Sequence, residues 1–354
     1  MVKTIGLNTY RFSLEWSRIE PEFGTFSIAM LDHYKAVIEG CQRRGLTPMV
    51  TFNHFTTPRW FAGRGGWTDT ASGDLFARYC DRAARHLAAD IGYATTLNEP
   101  NLINMARNPL APQSLGGYKA IVEKMNEAAA RATGSSRFVV GNAIVSIDDV
   151  DALTRNMINA HKAGRAAIKA VRSKLPVGVS LAIADDQAVG KNSIRDAIRV
   201  NAYGSWLEAA KADDFLGVQN YERTLWDDKG KSSSPPGGDR NTNGGEVYPA
   251  SLANAVRYAH SVTRVPIIVT EHGVMTEDDA VRTRLISAAL PELKKTIDEG
   301  VPVRGYVHWS LLDNFEWILG YKPKYGLIAV DRTTFKRTPK PSAQPFTPWP
   351  HRSG

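Results

Sequence analysis

The sequence predicts an α/β fold of the (β/α)8 TIM-type barrel class, formed as a single domain over residues 1–354. Apolar, β-branched segments of strand length alternate with longer segments whose apolar residues recur at helical spacing. Such alternation indicates a parallel sheet with helices outside it. Two of the apolar strands also end in glutamate, and the carboxyl ends of barrel strands are where this fold class places its chemistry.

Seven strands can be predicted with their helices in chain order. A closed barrel needs eight strands. Either residues 137–147, whose composition is strand-like, supply the eighth, or a strand is absent. A tract rich in Ser, Pro, Gly and Asn at 229–245 predicts a surface loop. The seven strands are centred near residues 9, 50, 95, 180, 218, 269 and 306, and the clearest helices cover 27–44, 70–90, 154–174 and 278–299.

The composition is that of an ordinary globular protein, with 43% hydrophobic and 23% charged residues. Cys41 and Cys80 lie in predicted helices, far from any His or Cys at metal-ligand spacing, so we predict buried thiols and no metal site. The glycine-rich stretch at 63–66 lacks the Lys-Ser/Thr of a phosphate loop, and no Gly-x-Ser-x-Gly elbow is present. We therefore predict no cofactor.

The net charge of +8 and the pI near 9.4 raise the question of an anionic partner. However, the basic residues are spread along the chain and no nucleic-acid-binding signature accompanies them, so no nucleic-acid partner is predicted. The sequence has neither a 20-residue apolar segment nor a signal-like N-terminus. These features predict a cytoplasmic protein without a membrane partner, and they leave the oligomeric state open.

The two strand-end glutamates are the strongest candidates for chemistry. Glu99 follows a run of β-branched and apolar residues, 94–97, and Asn98, and Pro100 then ends the strand because it has no N–H to donate. Glu271 ends the run 267–270 and precedes His272 and the turn former Gly273. Taken alone, a glutamate after an apolar strand is most often a solvent-facing residue. Two of them on parallel strands suggest a facing pair of carboxyl groups.

Five motifs together carry a resemblance to a known family. The residues of these motifs and the order of the motifs along the chain resemble those of the family 1 glycoside hydrolases, the β-glucosidase group, over nearly the whole sequence. The motifs are Tyr10-Arg11-Phe12-Ser13, Thr51-Phe52-Asn53-His54-Phe55, Thr96-Leu97-Asn98-Glu99-Pro100, Val269-Thr270-Glu271-His272-Gly273, and the run from Val307 to Trp317 that contains Asp313-Asn314-Phe315-Glu316.

The resemblance implies a retaining β-glycosidase acting on a small-molecule glycoside or oligosaccharide. It implies that Glu99 is the general acid and base and that Glu271 is the nucleophile, a pair that retaining enzymes hold about 5 to 5.5 Å apart. Arg11 and Tyr221 fit the task of keeping Glu271 ionised by donating hydrogen bonds to it. The implied sugar-binding residues are His54, Asn98, Gln219, Trp309, Glu316 and Trp317.

Departures from the family pattern leave alternatives open. The chain begins too late to contain the family's usual first strand with its sugar-binding Gln, while His272 and Gln219 stand where the family usually has Asn, and Phe55 replaces a common Trp. One alternative is a truncated sugar-binding remnant without turnover, and another is transglycosylation as the main activity. The intact segment 314–317 argues against phosphorylated sugars. The glycone itself stays open.

Overall fold

The computed structural model describes residues 1–107, 112–142 and 145–346. Its strands are β1 (Thr9–Ser13), β2 (Thr47–Asn53), β3 (Tyr93–Asn98), β4 (Val177–Ala182), β5 (Asp185–Ala188), β6 (Leu216–Asn220), β7 (Arg223–Trp226), β8 (Lys231–Ser232), β9 (Ile267–His272), β10 (Val303–Tyr306), β11 (Ile328–Val330) and β12 (Arg337–Pro339). The seven predicted strands are confirmed as β1, β2, β3, β4, β6, β9 and β10. The described residues of the 137–147 segment contain no strand.

Helices separate the strands of the parallel sheet. They are α1 (Trp16–Ile19), α2 (Ile28–Gln42), α3 (Arg59–Ala62), α4 (Ser72–Leu87), α5 (Leu102–Arg107), α6 (Pro112–Thr133), α7 (Val150–Val171), α8 (Arg195–Arg199), α9 (Ser205–Ala210), α10 (Ser251–Thr263) and α11 (Asp279–Asp298). A π-helical turn at Val200–Gly204 joins α8 to α9. Among the described residues, no helix combines the length and the apolar character needed to cross a bilayer.

The chain divides into two compact units, and the site residues are distributed between them. Unit 2 consists of Tyr10–Ala182 and Asp196–Gly217. Unit 1 consists of Met1–Thr9, Ile183–Arg195 and the chain from Val218 onward. The prediction of a single domain over residues 1–354 stays a prediction.

Unit 2 is built on parallel strands in the order β1-β2-β3-β4, followed by the start of β6. Strand β3 lies between β2 and β4, with Thr51 beside Thr95 on one side and Ala94 beside Val177 on the other. The apolar and β-branched residues of β3 are buried, as a strand covered on both faces requires. The register between β3 and β4 shifts between Thr95 and Asn98. Bulges of this kind redirect side chains next to active sites.

A buried polar network fixes β3 below its last residues. The Thr96 hydroxyl lies 2.8 Å from Nδ1 of His161 on α7, and Nε2 of His161 lies 3.2 Å from Asp213 Oδ1. The other oxygen of Asp213 accepts the Val179 N–H of β4 at 3.0 Å. Because buried polar groups are costly unless they are paired, these contacts favour one arrangement of β3, β4 and α7.

Unit 1 is built on the parallel strands β6, β9 and β10, in that order. Ile267 of β9 lies beside Val303 of β10, and Val269 lies beside Tyr306. A smaller sheet of β5, β7 and β8 and a hairpin of β11 with β12 complete its described strands. The sequence did not predict these short strands, because two to four residues carry too little periodicity. An apolar cluster packs around Ile286 of α11 and consists of Ile5, Ile286, Leu327, Ile328, Ala343 and Phe346.

Candidate active site

Glu99 lies at the carboxyl end of β3, where the backbone leaves the strand conformation. Its φ is +43°, a value that non-glycine residues rarely adopt and that clusters at functional sites. Its N–H donates to the carbonyl of Ser180 at 2.8 Å. Two residues later, the Asn101 side chain donates to the Ala182 carbonyl at 2.7 Å and accepts the Ala182 N–H at 3.0 Å. Glu99 and Asn101 are therefore both hydrogen-bonded to β4. Glu99 is 9% exposed.

The residue before Glu99 belongs to a hydrogen-bonded chain of four side chains. Arg11 Nη2 donates to Asn98 Oδ1 at 2.5 Å. Asn98 Nδ2 lies 3.0 Å from Nε2 of His54, and the Ser13 hydroxyl lies 3.1 Å from the opposite ring nitrogen of His54. Since a guanidinium can only donate, the Asn98 oxygen must face Arg11 and its NH2 group must face His54. Nε2 of His54 therefore accepts.

The protonation state of His54 follows from its surroundings. Burial, and next the positive charge of Arg11, hold the pKa of His54 well below its usual value, so the ring is neutral. A neutral imidazole whose Nε2 accepts carries its proton on Nδ1, which then donates to Ser13. The order of donors from Arg11 to Ser13 is thereby fixed. Sequence reasoning selected Arg11, Asn98 and His54 but missed Ser13, although Ser13 belongs to the first motif.

Glu271 lies in β9 and is 4% exposed. Each of its carboxylate oxygens accepts a hydrogen bond: Oε1 from Gln219 Nε2 at 3.0 Å and Oε2 from the Tyr221 hydroxyl at 2.6 Å. Donors on both oxygens fix the orientation of the carboxylate. The predicted contact between Tyr221 and Glu271 is confirmed. The predicted contact between Arg11 and Glu271 stays a prediction.

The two donors to Glu271 are positioned by the end of β6. Between them, Asn220 donates to the carbonyls of Ile183 at 2.9 Å and Glu222 at 3.2 Å, and accepts from the Ser251 hydroxyl at 2.8 Å. Because Asn220 is anchored by its amide, the residues on either side of it have a defined direction. Gln219 and Tyr221 are two positions apart, the spacing at which residues along a strand face the same side, and both donate to Glu271.

Glu316 is a second carboxyl group close enough to Glu271 to sense its charge. Burial, and to a lesser extent the charge of Glu271, raise the pKa of Glu316, while hydrogen bonds from Trp309 and Asn314 act in the opposite direction. The next residue, Trp317, has a φ of +49° and is 37% exposed. Four of the residues predicted to bind sugar (Gln219, Trp309, Glu316 and Trp317) thus belong to the unit that contains Glu271.

Comparison with known proteins decides the family. A family model described as "Glycosyl hydrolase family 1" matches residues 1–147 and 154–349. The chain belongs to glycosyl hydrolase family 1. It is accordingly a glycoside hydrolase, and the predicted family and fold class are both confirmed.

Relatives of this family 1 glycoside hydrolase include β-glucosidases and β-glycosidases. The β-glucosidase of Agrobacterium sp. is 28% identical over 97% of this chain and 80% of the relative. β-Glucosidase A of Thermotoga maritima is 28% identical over 97% of this chain and 82% of the relative. A solved structure of a β-glucosidase named 1317 is 39% identical, with a TM-score of 0.90, and the match covers 96% of this chain and 83% of that one. A solved β-glycosidase, BGL167, is 43% identical, with a TM-score of 0.88 and coverage of 97% and 82%.

Gly273 in this glycoside hydrolase lies against the backbone of Trp309. A Cβ atom at residue 273 would lie 2.1 Å from the Trp309 carbonyl oxygen, a distance at which backbone must move. We expect Gly273→Ala to destabilise the protein by about 2 to 4 kcal/mol, in the range of severe packing errors, and to weaken activity. Urea denaturation and a glycosidase assay would measure both effects. The matched control is Gly40→Ala, because Gly40 lies in a helix and a Cβ atom there would have no neighbour closer than 3.6 Å. Gly237→Ala would not serve as a control, because Gly237 has a positive φ.

Buried histidines should make this family 1 enzyme lose stability in acid. Burial lowers the pKa of His272 to about 3, whereas an unfolded chain protonates histidine near about 6.5. As the pH falls below about 6.5, the unfolded state binds this proton first, so stability is lost progressively until about pH 3, by about 1.4 kcal/mol per pH unit for each such group. Urea denaturation at several pH values between about 6 and about 4.5 should show that the free energy of unfolding falls less steeply with decreasing pH in His272→Asn than in the wild-type protein. The difference between the two slopes should correspond to about one proton. Equal slopes in the two proteins would contradict the prediction.

Proposed function

We propose that the protein is a retaining β-glycosidase of the β-glucosidase type that hydrolyses terminal β-linked sugars by double displacement. The observation that carries the proposal is the buried Glu271 carboxylate with a donor on each oxygen. Hydrogen bonds to both oxygens hold this carboxylate in one orientation, as a nucleophile at carbon requires. Family membership and the β-glucosidase relatives support the same reading.

Glu99 is proposed as the general acid and base. It ends a strand parallel to its neighbours, and its backbone is fixed by hydrogen bonds to Ser180 and beyond. A retaining reaction needs a second carboxyl group that is protonated when the sugar binds. We propose that Glu99 supplies that proton and that Asn98, oriented by Arg11 and His54, contacts a sugar hydroxyl.

In the first step of the proposed reaction, a Glu271 oxygen bonds to the anomeric carbon while the bond from that carbon to the leaving oxygen breaks. Glu99 transfers its proton to the leaving oxygen, and the aglycone departs as an alcohol. In the second step, water attacks the anomeric carbon, Glu99 takes a proton from the water, and the ester bond to Glu271 breaks. Two inversions at one carbon give net retention, and both residues return to their starting states.

The proposed sugar site combines aromatic surfaces with hydrogen-bonding groups. Trp309 and Trp317 offer aromatic faces to the C–H side of a sugar ring, and Glu316 and Gln219 offer acceptors and donors to hydroxyl groups. Glu316 supports a neutral sugar over a phosphorylated one, because the negative charge of Glu271, which adds to burial in raising the pKa of Glu316, would also repel a phosphate. Gluco, galacto, fuco and manno sugars remain candidates for the glycone.

Incubation with a nitrophenyl β-glucoside and with an activated 2-deoxy-2-fluoro-glucoside tests the proposal. We expect hydrolysis of the first and a covalent glycosyl adduct on the peptide that contains Glu271 with the second. Sugar-dependent thermal stabilisation without hydrolysis or adduct would favour the sugar-binding remnant instead. Oligosaccharide products at high sugar concentration would indicate transglycosylation, with water outcompeted in the second step.

A further inference from the structure

Three partly or fully buried aromatic side chains of unit 1 form a continuous hydrogen-bonded group next to Glu271. Nδ1 of His272 lies 2.8 Å from the hydroxyl oxygen of Tyr306, and the same oxygen lies 3.2 Å from Nδ1 of His308. His272 is 1% exposed and His308 is 8% exposed. The rings also contact each other, with centroids 5.7 Å apart for His272 and Tyr306 and 6.4 Å apart for Tyr306 and His308. We call these three residues the His-Tyr-His group.

The number of available protons determines the direction of the hydrogen bonds in the His-Tyr-His group. Burial keeps both imidazoles neutral by lowering the pKa of each histidine. The Tyr306 hydroxyl has one proton to donate and lone pairs to accept with. If both hydrogen bonds are made and the hydroxyl proton is used, the hydroxyl donates to one histidine and accepts from the other. One of the two histidines then carries its proton on Nδ1 and the other on Nε2.

The group is joined to two residues of the proposed reaction through the backbone. His272 directly follows Glu271, and its carbonyl accepts the Trp309 N–H at 2.9 Å. His308 directly precedes Trp309, whose indole hydrogen-bonds to Glu316. On the other side, the Val307 N–H donates to the Val269 carbonyl at 2.8 Å. The Tyr306 hydroxyl therefore connects His272, which follows the proposed nucleophile, to His308, which precedes the proposed sugar-stacking Trp309.

We propose that Tyr306 is a positioning residue, which holds Glu271 and Trp309 in mutual register by hydrogen-bonding both His272 and His308. This inference rests on the proposed function of Glu271. It assigns the three side chains a task that packing alone does not require, because a phenylalanine at 306 would keep the ring contacts with His272, His308 and Phe346. Only the hydroxyl of Tyr306 can form the two hydrogen bonds that join His272 to His308.

Tyr306→Phe separates positioning from packing. We expect the rate of Glu271 labelling by the fluoro-glucoside, and kcat for a nitrophenyl glucoside, to fall about tenfold, since small misplacements of reacting groups are costly. KM should change less than kcat. The matched control is Tyr34→Phe, which removes a hydroxyl that accepts the Glu15 N–H at 2.9 Å in the other unit and should leave kcat unchanged. Labelling of Tyr306→Phe at the wild-type rate would overturn the proposal.

Two substitutions of His272 supply the conservative comparison. The Oδ1 of an asparagine lies the same number of bonds from Cα as Nδ1 of histidine, so His272→Asn can still bond to the Tyr306 hydroxyl. We expect His272→Asn to retain most of kcat and His272→Leu to lose about as much as Tyr306→Phe. Equal rates in the asparagine and leucine variants would count against the proposal. If wild-type protein forms no adduct on Glu271, the proposed function fails first, which is a distinguishable result.

Discussion

Glu271→Ala should abolish turnover, with kcat falling by about 10⁵-fold, because the covalent route then lacks its nucleophile. The fold should persist, since the lost carboxylate is replaced by a smaller apolar group and its donors, Gln219 and Tyr221, can be reached by water in the emptied space. Kinetics with a nitrophenyl β-glucoside, together with circular dichroism, measure both expectations.

The matched control for Glu271→Ala is Glu277→Ala. Glu277 is an exposed glutamate a few residues further along the same segment, so its replacement tests whether loss of any local negative charge matters. We expect wild-type kcat in that variant. Azide added to Glu271→Ala should occupy the emptied space and restore some cleavage, giving a glycosyl azide of inverted configuration. Substantial unaided turnover by Glu271→Ala would remove Glu271 from the mechanism.

Glu99→Ala should give a loss that depends on the leaving group. For a poor leaving group such as methanol, we expect a fall of about 10³- to 10⁴-fold, because general acid catalysis is lost in the first step. A dinitrophenol leaving group needs no proton, so the first step should stay fast and the glycosyl adduct on Glu271 should accumulate. Stopped-flow release of dinitrophenol would then show a burst followed by slow turnover.

Azide provides the internal control for Glu99→Ala. Azide is a nucleophile that needs no general base, so it should accelerate breakdown of the accumulated adduct and give a glycosyl azide that retains configuration. The opposite configurations expected from the two variants distinguish the two carboxyl groups. An equal loss for good and poor leaving groups would be inconsistent with an acid and base role for Glu99.

Sequence reasoning predicted the strands, and the position of a glutamate at the end of two of them, for physical reasons. Buried parallel strands are continuous apolar runs, and Glu99 and Glu271 each interrupt such a run at its end. The resemblance to the family, outside the five motifs, led to Gln219 and Tyr221, and the structure adds which oxygen of Glu271 each contacts. Strand content and motif residues are local properties, which a sequence displays directly.

What the sequence could not supply is contact between distant residues. Ser13 bonds to His54 across 41 positions, and Tyr306 bonds to His272 across 34. A lone hydroxyl has no periodicity or spacing that marks such a partner. The shift of register between Thr95 and Asn98 was also hidden, because a bulge depends on the partner strand as much as on its own residues.

The pairing of Glu271 with Glu316 bears on ligand design. Burial and, after it, the charge of Glu271 raise the pKa of Glu316, so the negative field of Glu271 reaches that residue. A sugar mimic with a protonated ring nitrogen close to these two carboxyl groups would interact favourably with that field, whereas a neutral mimic of equal shape would not. The preference for the cation should then weaken as ionic strength rises in any region that solvent ions can enter.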